Sequence, residues 1–524
     1  MLDADPSPLE GARARVASLA AELAVIDGAQ PRLVETAISW LLLGRGLAYK
    51  IKKPIRLPFL DFTALAERRR FCDEELRLNR RFAPELYLDV VEVREGPSGP
   101  SFEGTGRLLE AAVRMKRFPD GALWSERLGA GTLGAAEVDA FAVRLAAVHR
   151  AAAVAPADGA FGTAAVHERV ARNSIAAIDA WQRSRAAAFP QWPVLREWIE
   201  RERERLAPHW PARLRSGHVR ECHGDLHLAN VLQLGDAPAA FDGIEFDPGL
   251  RWIDPIDDVA FLAMDLSAHG RGDLAFCLLD RYLEASGDHD GVPALRFFLV
   301  GRALVRAQVS ALCEAGGIVT QSACNALDYL RAAAEIARGA DPRLAITHGL
   351  PGSGKSFVSG RLLQQAGAIR VRSDVERKRL FGLSPLQSSR DLVPERIYGA
   401  AATRQTYARL LEVSKLSLLA GWPTIVDAAF LRHAERAEFA ALADSLAAPF
   451  AIVDCRAALP LLRQRVSARQ AGGADASEAD IVVLERLVAA DEPLAAGESA
   501  RAIVFDAAAP EPIEALTRRW QSMR

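Results

Sequence analysis

Residues 349–356 read GLPGSGKS, the GxxxxGK[ST] spacing that handles phosphate. Gly349, Gly352, Ser353 and Gly354 form a loop whose backbone N–H groups curl round a β-phosphate. Lys355 reaches the β/γ oxygens, and the Ser356 hydroxyl takes Mg2+. An apolar strand, RLAITH, precedes the loop and a helical pattern, FVSGRLLQQ, follows it. That flanking adds the partial positive charge of a helix N-terminus. The chemistry implied is binding of a nucleoside triphosphate.

Further along, the strand AIRVRS ends at Asp374, where a parallel strand delivers side chains to a ligand crevice. Asp374 followed by Arg377 resembles P-loop kinases of small hydroxylated substrates and polynucleotide 5′-hydroxyl kinases. That resemblance implies a carboxylate that orients or deprotonates an acceptor hydroxyl. The other reading of Asp374 is a helix N-cap. Asp427, closing TIVD, is a candidate for the Mg2+ water shell or another strand-end cap. Arg463, Arg465 and Arg469 lie in one helical run, with Arg465 and Arg469 sharing a face. With the Gly-rich segment after them they suggest a lid carrying cations to the γ-phosphate, or else a solvated basic helix. The domain resembles the gluconate-kinase, zeta-toxin and polynucleotide-kinase group.

A second set of residues lies earlier. Residues 223–230 read HGDLHLAN, with Asp225 five positions before Asn230. Protein kinases keep the same spacing between a base and a metal-binding Asn. Asp242 follows, and then Asp254-Pro255-Ile256-Asp257-Asp258-Val259-Ala260. The HGD opening and these ordered segments resemble the aminoglycoside phosphotransferase family. The resemblance implies that Asp225 accepts or orients the acceptor proton. It implies that Asn230 and Asp242 hold Mg2+ and that His227 contacts the γ-phosphate. His223 is read as a brace for the loop and Asp258 as its anchor or a helix cap. Glu245 and Asp247 are spare metal ligands.

Such a lobe needs a Lys paired with a helix Glu to hold the α/β-phosphates. AYKIKK offers Lys50 and Lys52 on one strand face. Lys50 fits the family's apolar-x-Lys strand. On the following helical pattern Phe71, Glu75, Leu78 and Phe82 share a face, which favours Glu75 over Glu74. A cap at Asp61 or Thr63 is expected to open that helix. No GxGxxG precedes the Lys strand.

The elements that must position these residues fall into two stretches. Residues 30–118 read as a small lobe: a hairpin at Gly44–Gly46, a helix, and two strands around a loop from Gly96 to Gly106. Residues 119–338 read as a large helical lobe. After Gly339 and Pro342, short apolar strands alternate with helices, predicting a parallel doubly wound sheet. The expected fold is therefore an α+β kinase-like domain over 1–338 and an α/β P-loop domain over 342–524. The whole chain resembles bacterial proteins that fuse an aminoglycoside phosphotransferase-like domain to a P-loop kinase-like domain. That resemblance implies ATP, Mg2+ and a small-molecule hydroxyl acceptor.

Composition sets outer bounds. The 524 residues are 50% hydrophobic and 25% charged, enough for several cores. Lys+Arg number 65 and Asp+Glu 67, a net charge of -2, which argues against nucleic acid or an anionic membrane as partner. Six scattered cysteines without a CxxC pair suggest a reduced, cytoplasmic protein. The sequence opens acidic without an apolar stretch, and no apolar run reaches about 18 residues, so neither a signal peptide nor a membrane helix is expected. Two alternatives remain: one domain catalytic with the other a regulatory nucleotide-binding module, or a polynucleotide 5′-hydroxyl kinase. The sequence carries no signal for oligomeric state.

Overall fold

The structure, a computed structural model, describes residues 8–57, 60–184, 189–315, 323–389, 397–472, 476–509 and 511–524. The chain divides into two compact units. One comprises Met1–Leu133, Ala151–Gly162 and Ser216–Asp258, and the other Gly134–Arg150, Thr163–Arg215 and Val259–Arg524.

The first unit is built on a six-stranded antiparallel sheet. Its order is Arg32–Glu35, Ser39–Leu43, Leu47–Lys52, Leu108–Lys116, Tyr87–Gly96, Gly99–Ser101. Strand alternation sorts the residues by face. Tyr49 and Ile51 join Trp40, Leu42 and Val93 under the helix Pro8–Asp27, which buries Ala12, Val16, Leu19 and Leu23. Ala48 faces the other way, into a cluster with Cys72, Tyr87, Val113 and Met115. Lys50 and Lys52 share that second face by alternation, where the helix Leu65–Asn79 packs and buries Phe71, Glu75 and Leu78.

Two expectations need correcting here. That helix starts after Ala64, with no side-chain cap. The Asp61 carboxylate instead accepts from the backbone and hydroxyl of Thr63, holding the turn just ahead. The Gly96–Gly106 segment is not all loop, because Gly99–Ser101 folds back on Tyr87–Gly96 as a strand.

A short ribbon, Val231–Leu234 with Ala237–Ala240, pairs Val231 with Ala240. Its two open ends therefore bring Asn230 and Asp242 to the same place. The Phe241 N–H donating to the Asn230 carbonyl at 3.0 Å closes that end.

The second unit carries helices from the middle of the chain, including Gly272–Ser286 and Val292–Ala315, and a five-stranded parallel sheet. The sheet order is Ile369–Arg372, Thr424–Asp427, Leu344–His348, Phe450–Arg456, Ala502–Asp506. Helices cover both faces. Ala400–Leu419 and His433–Ser445 bury Leu410, Val413 and Phe439 on one; Lys355–Ala366 and Ile513–Ser522 bury Val358, Leu362, Leu516 and Trp520 on the other. This is the doubly wound arrangement. Leu344–His348 is central; the connection after it runs to one side and the connection after its neighbour Thr424–Asp427 runs to the other, which opens a crevice at their C-terminal ends. No helix among the described residues is long and apolar enough to cross a membrane. The six cysteines are free thiols.

The aromatic knot at the centre of this sheet's packing gives a direct test. Phe439 is fully buried, with its ring 4.9 Å from that of Phe430. Phe439→Ala should lower stability by about 3–5 kcal/mol through lost transfer energy and an unfilled cavity. A denaturant midpoint within about 1 kcal/mol of wild type would contradict this packing.

Candidate functional site

In the first unit the strand and helix deliver opposite charges to one spot. Lys50 Nζ donates to Glu75 Oε1 at 2.9 Å, and Lys52 Nζ donates to Glu75 Oε2 at 2.7 Å. Each carboxylate oxygen thus takes one ammonium. Lys50 also reaches Asp242, and Lys52 also reaches Glu245. Glu75 and Lys52 are completely buried. An uncompensated charge at that depth costs several kcal/mol, so the set stands only as a neutralised cluster. Burial alone would raise the Glu75 carboxyl, but the two ammonium groups outweigh it and hold it at about 2. Burial would likewise push Lys50 down. Asp242, Glu75 and Glu245 overcome that and hold it well above the usual lysine range.

The loop carrying Asp225 is fixed from behind. The N–H groups of His223 and Gly224 donate to the two Asp258 carboxylate oxygens at 3.0 and 2.8 Å. Burial lowers the His223 pKa, and its Nε2 lies 2.9 Å from the Phe241 carbonyl. Gly224 has a φ of 86°, and a Cβ there would lie 2.6 Å from the Leu250 carbonyl oxygen. Only glycine fits that turn. The Asn230 side-chain amide donates to the Asp225 carbonyl at 2.9 Å and to its carboxylate at 3.1 Å. His227 Nε2 lies 3.4 Å from the same carboxylate.

Asp242 sits with φ at 62°, a conformation unusual for a non-glycine residue. Its N–H donates to the Tyr87 hydroxyl at 3.1 Å, and the N–H of Gly243 donates to Asn79 at 2.8 Å. These bonds hold a locally costly backbone in place, a pattern associated with functional sites. Its side chain keeps 42% exposure. Asp225, Asn230 and Asp242 together offer the hard oxygen donors that suit Mg2+. Glu245 and Asp247 do other work. The first compensates Lys52, and the second caps Pro248–Arg251 by accepting from the Gly249 N–H at 2.7 Å.

The second unit holds the phosphate loop between Leu344–His348 and Lys355–Ala366. Gly349, Gly352 and Gly354 all have positive φ. A Cβ on Gly349 would meet the Cys455 carbonyl at 2.4 Å, and one on Gly354 the Phe505 ring at 3.1 Å. Lys355 Nζ folds back to the Leu350 carbonyl at 2.9 Å. Burial lowers its pKa, against the opposing pull of Asp427 and Asp374. Ser353 Oγ is buried without a hydrogen-bond partner among the described residues. An orphaned hydroxyl inside such a loop fits a phosphate oxygen as its missing partner.

Asp427 ends its strand 5% exposed, with Ser359 Oγ 3.3 Å and Arg372 Nε 3.4 Å from its Oδ2. Its carboxylate and the Ser356 hydroxyl are oxygen donors of the kind Mg2+ takes. Asp374 lies in the first turn of Ser373–Leu380, whose N-cap is Arg372. The Asp374 carboxylate makes no hydrogen bond or ion pair among the described residues. Arg465 donates to the Gly352 carbonyl at 3.1 Å, directly over the loop. Arg469 donates to the Ala479 carbonyl at 3.0 Å, and Arg463 pairs with Glu485. Of the Gly-rich segment after Arg469, residues 473–475 lie outside the described residues.

Sequence reading passed over Arg370 and Arg372. Two arginines alternating along a buried strand were the available signal, since such charges need buried partners. It also passed over His348, whose Nδ1 lies 2.8 Å from Asp454 at the root of the loop.

Residues 59–298 match the phosphotransferase enzyme family, and residues 344–494 match an AAA domain. Lys50 and Lys52 lie just ahead of the first match. Uncharacterized proteins of Mycobacterium tuberculosis and Mycobacterium bovis are 28% identical over 446 residues, covering 84% of this chain and 87% of theirs. Among solved structures, a choline/ethanolamine kinase family protein from Mesorhizobium loti is 14% identical. It covers 63% of this chain and 99% of its own, with a TM-score of 0.37. The Mycobacterium tuberculosis APS kinase is 20% identical and covers 34% of this chain and 95% of its own, with a TM-score of 0.24.

The charge cluster around Glu75 predicts a pH signature. A carboxyl held at about 2 in the fold, against an ordinary 4.5, contributes stability above pH 4.5 and loses it as pH falls towards 2. Glu75→Gln should therefore destabilise by about 3–5 kcal/mol near neutrality, with the gap closing across that acid window. A gap in unfolding free energy that stays constant from pH 6 to pH 3 would contradict the assignment.

Proposed function

We propose, for a chain whose two family domains make it an ATP-dependent phosphotransferase, that the acceptor is a hydroxyl of a small molecule and that each domain holds its own nucleotide with Mg2+. The observation carrying this reading is the grouping of Lys50, Glu75, Asp225, Asn230 and Asp242 in one unit, together with a complete phosphate-loop motif in the other.

In the first site, Lys50 is oriented by Glu75 and supplies positive charge to the α/β-phosphates. Its present hold on Asp242 passes to the incoming phosphates. Asp242 and Asn230 then have oxygen donors for the cation. When bound, Mg2+ neutralises the oxygens of the triphosphate and orients them for in-line displacement. Asp225 orients the acceptor hydroxyl and takes its proton as the new O–P bond forms. The bond from the γ-phosphorus to the β–γ bridging oxygen breaks, and ADP leaves with that oxygen. His227, beside Asp225, faces the transferred group.

In the second site, Lys355 and the loop's N–H groups take the β/γ-phosphates. Ser356 and Asp427 face the cation. Asp374 meets the acceptor from the first turn of Ser373–Leu380, and Arg465 is placed over the loop to meet developing charge. Arg469 would have to leave the Ala479 carbonyl to join it. The near-neutral chain favours a small acceptor over a polynucleotide.

ATP consumption against a panel of small hydroxylated compounds tests this reading. Asp225→Asn keeps the shape of the side chain and removes its charge, so turnover at the first site should fall by about 10²–10⁴-fold with nucleotide binding retained. Lys355→Ala should remove turnover and binding at the second. Acceptor-dependent consumption that survives in the double variant would refute both assignments.

A further inference from the structure

The phosphotransferase-family match ends at residue 298 and the AAA match begins at 344, yet side chains from the first reach the phosphate site of the second. Both sets of residues belong to one compact unit. The helix Gly272–Ser286 presents Asp280 and Glu284 to the strand Ile369–Arg372. Arg370 grips the Asp280 carboxylate with Nε at 3.1 Å and Nη2 at 2.6 Å, and its Nη2 lies 3.5 Å from Glu284. Through Nη1 the same guanidinium donates to the Ser356 carbonyl at 3.2 Å and to Ser359 Oγ at 3.1 Å. Ser359 Oγ in turn lies 3.3 Å from Asp427. Arg372 stands between two carboxylates: Nη1 is 3.3 Å from Glu284, and Nε is 3.4 Å from Asp427. Arg281 braces Glu284 from its own helix at 2.9 Å. Asp280, Glu284, Arg370, Arg372 and Asp427 are all nearly excluded from solvent.

This geometry does more than glue two segments together. Ser356 and Asp427 are the proposed cation-facing residues, and each touches an arginine whose other partner is a carboxylate of the preceding domain. A guanidinium 3.4 Å from Asp427 competes with a divalent cation for that carboxylate. How strongly it competes depends on how firmly Glu284 shares it. Arg370, tethered by Asp280, sets the position of the Ser356 backbone on the first turn of the loop's helix.

We propose that Asp280 and Glu284 are positioning residues of the P-loop metal–nucleotide site, supplied by the phosphotransferase-family domain: Asp280 fixes Arg370 against the Ser356 turn, and Glu284 draws Arg372 away from Asp427 so that the carboxylate is available to Mg2+. The proposal rests on the nucleotide site assigned to the second domain above. It makes the AAA-matching region dependent on its neighbour for a competent metal site.

The test is binding of a fluorescent, non-hydrolysable ATP analogue to the full-length chain across a range of Mg2+ concentrations. The P-loop component is the part of the signal that Lys355→Ala removes. If Lys355→Ala removes nothing, the assignment of that site fails, and the proposal with it. With the component present, Glu284→Gln should raise the half-saturating Mg2+ on the order of tenfold, within the usual range of coupling between sites. Adding Arg372→Gln should bring it back, because the competing cation is then gone. Asp280→Asn should weaken the same component and is the second probe where Glu284→Gln folds poorly. An unchanged Mg2+ requirement in both single variants would overturn the proposal. So would a shift in Glu284→Gln that persists undiminished with Arg372→Gln, since that pattern reports lost packing rather than competition for Asp427.

Discussion

Glu75 divides its two carboxylate oxygens between two buried ammonium groups, and the first site is organised around that division. A lysine on the sheet's inner face cannot stay charged without a partner, and neither can a glutamate on the facing helix. Lys50 and Lys52 point the same way because a strand alternates with period two. Glu75 meets them because it lies on the apolar face of its helix. The remaining bond of each lysine runs to a residue beyond the short ribbon, Asp242 for one and Glu245 for the other. Strand, helix and ribbon are thus tied by charge as well as by apolar packing. On the proposed function, a triphosphate at this site would meet an ammonium already oriented, with its acidic partner Asp242 placed to turn to a cation.

The second site meets the same constraint differently. Its sheet buries two arginines on one strand, and their charge is balanced by carboxylates of a preceding helix and by Asp427. The glycines at 349, 352 and 354 let the loop pass within contact of the Cys455 carbonyl, the Leu462 carbonyl and the Phe505 ring. In both sites the expensive features are a positive-φ backbone and desolvated charge. In both they cluster where phosphate chemistry would occur.

Much of this was legible beforehand, for identifiable reasons. The five parallel strands were readable because buried strands are short apolar runs bounded by turn residues, and the phosphate loop because its glycines obey a fixed spacing. Glu75 was readable from its apolar neighbours Phe71 and Leu78. The helix Pro8–Asp27 went unread, although Ala12, Val16, Leu19 and Leu23 keep a helical spacing; its Ala-rich sequence gives a weak contrast between faces. The Gly99–Ser101 strand was hidden by its glycine and proline, residues that ordinarily signal loops. Partner choice was the least legible property. Nothing local says that Lys52 takes Glu245 across nearly two hundred positions, or that Arg370 takes Asp280, because ion pairs between distant segments are set by the fold.

The central claim is that one chain holds two nucleotide sites. Equilibrium titration of the full-length protein with a non-hydrolysable ATP analogue and Mg2+ measures this directly. Two nucleotides should bind per chain, the weaker in the first domain, which lacks a Gly-rich loop ahead of Lys50. Lys355→Ala should abolish one site and Asp242→Ala should weaken the other. A stoichiometry of one that vanishes in Lys355→Ala and is untouched by Asp242→Ala would contradict it.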